Sequence, residues 1–141
     1  MIGALIKYAG GLGVIIAVDG CECKVAPVRT VDGAQARTIP IDSDLLDAGE
    51  VPLGAALLIE CCVWVQESEC SEVGRVSRFF LDRLLRRIAK NAARDYSSFA
   101  HAPIDFEPGV SAAPVSGRVW GSEEVESLTD TALDFWLTTG R

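Results

Sequence analysis

Basic residues are scarce in this chain. It holds 13 Lys and Arg against 20 Asp and Glu, a net charge of -7, so a general attraction to nucleic acid or to anionic lipid is not expected. Histidine occurs once, at His101. An uninterrupted membrane-length apolar run is also missing. The most apolar window, "IGALIKYAGGLGVIIAV" (2–18), is broken by Lys7 and loosened by Gly10, Gly11 and Gly13. That window lacks the basic start and the A-x-A site of a secretory signal, and Asp19 is wrong for a lipoprotein site at "VDGC" (18–21). A cytoplasmic protein with reduced thiols is the expectation, with neither nucleic acid nor membrane as a partner.

What is present is globular. Hydrophobic residues make up 49% and charged residues 23% of 141 positions, a composition that builds a core and does not describe disorder. Residues 1–70 are punctuated by turns: "VDG" at 18–20 and 31–33, "IPIDSD" at 39–44 and "DAGEVPLG" at 47–54. "VIIAV" (14–18) and "CKVAPV" (23–28) flank Asp19-Gly20, a favoured hairpin dipeptide. "ARTIPI" (36–41) follows the second Asp-Gly, and "ALLIECCVWV" (56–65) reads as a buried strand, although periodicity alone leaves a helix open. About five short strands predict a small antiparallel sheet or barrel. Residues 71–77 ("SEVGRVS") read as a connector.

"RFFLDRLLRRIAKNAARDYSSFA" (78–100) is helical, with Leu81, Leu84, Leu85, Ile88, Ala92 and Tyr96 on one stripe. Arg78, Arg83, Arg86, Arg87, Lys90 and Arg94 supply a basic face. That face is either simply solvated or meets an acidic partner surface; no nucleic-acid reader motif accompanies it. Pro103, Pro108 and Pro114 then enforce an extended Pro/Gly arm over 101–121. "SEEVESLTDTALDFWL" (122–137) is a second helix with Ser122 as N-cap and Glu123 and Glu124 in the first turn. Val125, Leu128, Ala132 and Trp136 form its stripe, with Phe135 off to one side, more aromatic surface than one helix and an arm can cover. The fold class expected is α+β: a small antiparallel β-rich unit (1–70), the connector (71–77), and two helices joined by the arm (78–141).

Other chemistry weighs little. The thiols Cys21, Cys23, Cys61, Cys62 and Cys70 have no standard finger or ferredoxin spacing. On a strand, Cys21 and Cys23 share one face and Cys61 and Cys62 point oppositely; buried reduced thiols are the default, with a metal site the alternative. "GGLG" (10–13) lacks the "GK[ST]" end of a phosphate loop and reads as a turn. "IDSDLLDAGE" (41–50) lacks calcium-loop spacing and reads as a helical turn capped by Asp42 or Ser43.

The segment "FEPGVSAAPVSGRVWGSEEVESLTDTALDFWLTTGR" carries a resemblance. Through "PGVS" (108–111), "PVSGR" (114–118), Glu123-Glu124 and "LDFWLTTGR" (133–141), residues about 80–141 resemble the N-terminal segment of the CDP-4-keto-6-deoxy-D-glucose-3-dehydrases. These belong to the DegT/DnrJ/EryC1/StrS aminotransferase-like group. The resemblance implies the front end of a fold-type-I enzyme of pyridoxal-phosphate type. Such enzymes use pyridoxamine phosphate and a [2Fe-2S] cluster, work with a flavin/iron–sulfur reductase, and serve deoxysugar and lipopolysaccharide synthesis. It further implies that Trp136, Thr138, Thr139, Gly140 and Arg141 contact substrate or the cofactor mouth. It places the cofactor loop, the catalytic residues and the iron–sulfur cysteines beyond Arg141, so no catalytic residue, metal site or bound cofactor is expected here. The family's histidine in place of the Schiff-base lysine is not His101, which lies upstream of the motif. The partners implied are the remainder of the enzyme or another copy. Family members begin near the leading helix, so residues before it are either a fused β domain or an upstream extension. The rival reading is a small binding or assembly module that docks a partner through its aromatic C-terminal helix.

Overall fold

The computed structural model describes residues 1–31, 38–100, 109–110 and 121–134. The fold is α+β, with an eight-stranded antiparallel sheet and two helices. It divides into two compact units, Met1–Leu85 and Arg86–Arg141, with the boundary inside the first helix.

In the first unit, strands β1 (Ala4–Tyr8), β2 (Gly11–Asp19) and β3 (Glu22–Thr30) form consecutive hairpins. The Asp19-Gly20 turn forms as the dipeptide predicts, with Gly20 at φ 58. The short strands β4 (Thr38–Pro40), β5 (Leu46–Ala48), β6 (Ala55–Leu58), β7 (Val63–Gln66) and β8 (Ser71–Val76) complete the sheet. The strand order is β4-β6-β3-β2-β1-β8-β5, with β7 also on β3.

Topology forces this sheet to curl. β4 and β5 stand at opposite ends of the order, yet only Ile41–Leu45 join them. Such a link reaches at most about 20 Å. Seven strands laid flat would hold the two edges about 29 Å apart. The edges must therefore bend toward each other, giving a barrel-like unit. Asp42 caps the crossing: its carboxylate accepts the Asp44 N–H at 3.1 Å and starts the 3-10 turn Ser43–Leu45. Ile41 is buried beside it.

The curl explains why neighbouring positions along the central strands are buried together. Ala4, Leu5 and Ile6 are all at most 1% exposed, although alternate residues of a strand point to opposite faces. One face gathers Ala4, Ile6, Ile15, Cys23 and Val25, with Tyr8, Val65 and Cys70 packed against it. The register sets Leu5 beside Val14 and Val14 beside Ala26 on the other.

The run 56–65 is not one strand. β6 and β7 lie end to end along the same side of β3, Leu57 opposite Val28 and Val63 opposite Val25. The break falls opposite Ala26 and Pro27, and Pro27 brings no N–H to the ladder. The extra residues turn out of the sheet, with the Cys61 N–H bonded to the Leu58 carbonyl at 3.3 Å. Residues 71–76, expected as part of a connector, are β8, paired to both β1 and β5. Two glycines permit that second pairing: a Cβ on Gly74 would lie 2.3 Å from the Ala48 carbonyl oxygen, and one on Gly49 2.7 Å from that of Val73. Strand β1 went unread in the sequence because its triple glycine neighbour and its two-sided burial erase the alternating pattern.

Helix α1 spans Arg78–Ala100, as its periodicity predicts. Ser77 caps it, its hydroxyl accepting the Phe80 N–H at 3.2 Å. In the first unit, Phe80 and Leu84 are buried. The stripe is not uniformly inward, however: Leu85 is 37% and Tyr96 66% exposed. Phe80, not among the stripe residues expected, takes the inward position one turn before Leu84. Helix α2 spans Ser122–Leu133, with Asp134 at its C-cap. Its N-cap is Gly121, one residue ahead of the expected Ser122. The Glu124 carboxylate reaches back to accept the Gly121 N–H at 2.7 Å, half of a capping box.

Candidate functional site

In the second unit, α1 and α2 present matched charge. Arg86, Lys90 and Arg94 recur every four residues on α1, so they share one face. Glu126, Asp130 and Asp134 recur every four residues on α2. The helices run antiparallel and the two rows meet. Arg86 Nη2 lies 2.8 Å from Asp134 Oδ1 and Nη1 3.6 Å from Asp130 Oδ1. Lys90 Nζ lies 3.9 Å from Asp130 Oδ2, and Arg94 Nε donates to Glu126 Oε1 at 2.5 Å. Three residues of the basic face of α1 thus meet carboxylates of the same chain, where the sequence led us to expect a solvated face or an acidic partner.

These contacts polarise the groups that make them. The hydrogen bond from Arg94 holds the Glu126 carboxyl below its ordinary value, helped by the charges of Arg94, Lys90 and Arg87 against the opposing effect of burial. The same bond and charge hold Arg94 above its ordinary value. The signal was present in the sequence as two four-residue charge periods of opposite sign, but nothing in the sequence paired them.

No residue of α2 is buried. Leu128 is 56% and Leu133 39% exposed. Along this side, Glu123, Glu124, Ser127, Leu128 and Thr131 line an open, shallow groove. It mixes carboxylates, hydroxyls and one apolar side chain, a lining suited to contact rather than to catalysis. The residues singled out for substrate contact, Trp136, Thr138, Thr139, Gly140 and Arg141, lie outside the described residues, as does Phe135. So do His101 and most of the arm, of which Gly109 and Val110 form a turn.

Only part of the thiol set gathers: Cys70 packs against the apolar cluster that holds Cys23. Cys21 is exposed in the β2–β3 turn and Cys23 is buried in β3, so they do not share a strand face. Cys61 and Cys62 sit in the turn between β6 and β7 and not on a strand. There the Cys62 thiol donates to the Ile59 carbonyl at 3.2 Å. Burial pushes the Cys23, Cys62 and Cys70 thiols up. Glu67 adds to the shift at Cys23, and Cys23 adds to it at Cys70, while Lys24 opposes it at Cys62. A raised thiol stays protonated at neutral pH and is a poor nucleophile and metal ligand. Among the described residues, no group of three or more His, Cys, Asp or Glu side chains is placed to hold a metal ion. "GGLG", expected as a turn, is a turn only at Gly10: Gly11, Leu12 and Gly13 already pair with β1 as the start of β2, Arg29 Nη2 donates to the Gly10 carbonyl at 2.7 Å, and no helix N-terminus follows to receive a phosphate. Among the described residues, no helix is long and apolar enough to cross a membrane.

No protein-family model matches the chain. Among curated proteins, the chain is similar to lipopolysaccharide biosynthesis protein RfbH of Salmonella typhimurium, at 39% identity over 57 residues. The similar stretch makes up 40% of this chain and 13% of RfbH. The chain therefore spans only a small part of that relative's length.

Proposed function

We propose that residues about 80–141 are the front segment of a pyridoxamine-phosphate-dependent CDP-sugar 3-dehydrase of deoxysugar and lipopolysaccharide biosynthesis, and that residues 1–141 are catalytically incomplete alone. The observation that carries the reading is the 39% identity to RfbH, together with the motif "PVSGR…LDFWLTTGR". In this reading Trp136, Thr138, Thr139, Gly140 and Arg141 contribute to the substrate mouth of the complete enzyme. The partners are the remainder of that enzyme or a second copy, and a flavin/iron–sulfur reductase, in the cytoplasm.

The described residues do not fit either cofactor of the family. A phosphate needs free cations or a cradle of N–H groups, and the row Arg86, Lys90 and Arg94 is already engaged by carboxylates. An iron–sulfur cluster needs convergent thiolates; among the described residues no three such side chains are placed to hold a metal, and Cys23, Cys62 and Cys70 are pushed toward the protonated form.

Titration of the purified chain with pyridoxamine phosphate, followed by a turnover assay with a CDP-4-keto-sugar, tests this. The expected result is neither tight binding nor turnover; tight binding with turnover refutes the incompleteness. The second reading, a non-enzymatic assembly module, draws on the exposed Leu128 and Leu133 of α2. Monomeric behaviour with no dye-accessible apolar surface counts against it.

A further inference from the structure

We propose that α2 is a releasable strap, held along α1 by an ion-pair ladder and freed when that ladder is screened. The inference stands on the helix pair alone and not on the assignment to a sugar dehydrase.

Three observations combine. The charge rows of α1 and α2 meet antiparallel at Arg86–Asp134, Lys90–Asp130 and Arg94–Glu126, with Arg86 also reaching Asp130. No residue of α2 is fully buried, Val125 is half-buried, and Leu128 and Leu133 are exposed, so among the described residues the strap has little of the apolar anchoring that ordinarily fixes a helix to its neighbour. The helix is also only 12 residues long, near the length at which an isolated helix is marginal in water. A strap of this kind loses its position and its helicity together. Its release uncovers a cationic row spaced to receive another row of carboxylates at the same four-residue interval.

The ladder is accessible to salt. Its side chains retain between 17% and 43% of their exposure, and pairs at the surface are screened as ionic strength rises. Apolar packing of the sheet responds in the opposite sense, if at all.

Hydrogen–deuterium exchange of the full chain tests the strap. The comparison is made at about 0.01 M and about 1 M sodium chloride, over which the Debye length falls from about 30 Å to about 3 Å. Amides of 122–134 are expected to exchange faster at high salt, on the order of tenfold for a few rungs of ordinary strength, while amides of β1–β3 hold constant and serve as the folding control. A charge-reversed α1 row (Arg86→Glu with Lys90→Glu) is expected to free α2 at low salt. Adding Asp130→Lys with Asp134→Lys is expected to restore protection. Salt-independent protection of α2, or failure of the second reversal to restore it, overturns the proposal.

Discussion

Arg86 and Asp134 are 48 positions apart in the chain, yet the guanidinium Nη2 of one donates to the carboxylate Oδ1 of the other at 2.8 Å. The contact is part-buried, and it fixes the register of the two helices at the C-terminal end of α2. Exposed ion pairs usually contribute up to about 1 kcal/mol. This part-buried pair is less screened than those, and Asp134→Ala is expected to act on α2 rather than on the sheet. The check is amide exchange of 130–134 against that of β1–β3, with only the former accelerated.

The Glu126 rung gives the helix pair an acid sensitivity. Its folded carboxyl titrates below its ordinary value because Arg94 donates to it, with Arg87 and Lys90 also facing it from α1. A lowered folded value means that this contribution is fully present above the ordinary glutamate range, about pH 4.3, and is lost as the pH falls through the folded value. Helical circular dichroism is expected to decline on acidification before the sheet unfolds. In Glu126→Gln the decline should be smaller, since the contribution of that rung is gone.

The meeting of β5 and β8 depends on two glycines whose side-chain space is taken by backbone. Gly74→Ala sets a methyl group 2.3 Å from the Ala48 carbonyl oxygen, where only a backbone shift relieves the clash. A loss of about 1–3 kcal/mol is expected, the usual range for overpacking, read as a lower urea midpoint. Gly20→Ala is the comparison: nothing lies within 4 Å of its Cβ, so only the strain of φ 58 is felt.

Much of this architecture is legible in the residues. Asp19-Gly20 marks its hairpin, Asp42 its cap, and the period of residues 78–100 its helix, because each depends on neighbours in sequence. The features that escape depend on distant partners. β8 carries few apolar residues and forms because β1 and β5 flank it. The interruption at residues 59–62 falls opposite Ala26 and Pro27, on another strand. The basic face of α1 is legible in the sequence, but its acidic counterpart Glu126, Asp130 and Asp134 is recognised only where the antiparallel helix pair joins them. The proposed substrate residues Trp136 to Arg141 rest on resemblance and lie outside the described residues.

Thiol accessibility provides an independent check of the sheet. Cys21 and Cys61 are exposed and Cys23 is fully buried. Reaction with a disulfide reagent at neutral pH is expected to modify Cys21 and Cys61 first and to leave Cys23 untouched until the barrel unfolds. Early modification of Cys23, located by mass spectrometry, contradicts the packing of β3 against β1 and β2.

The front-segment reading is tested most directly by the coding DNA on either side of this sequence. It predicts that the frame continues past Arg141 into a large domain of pyridoxal-phosphate type. A stop codon immediately after Arg141 contradicts it, and the exposed face of α2 then belongs to a binding module that finds its core on a partner.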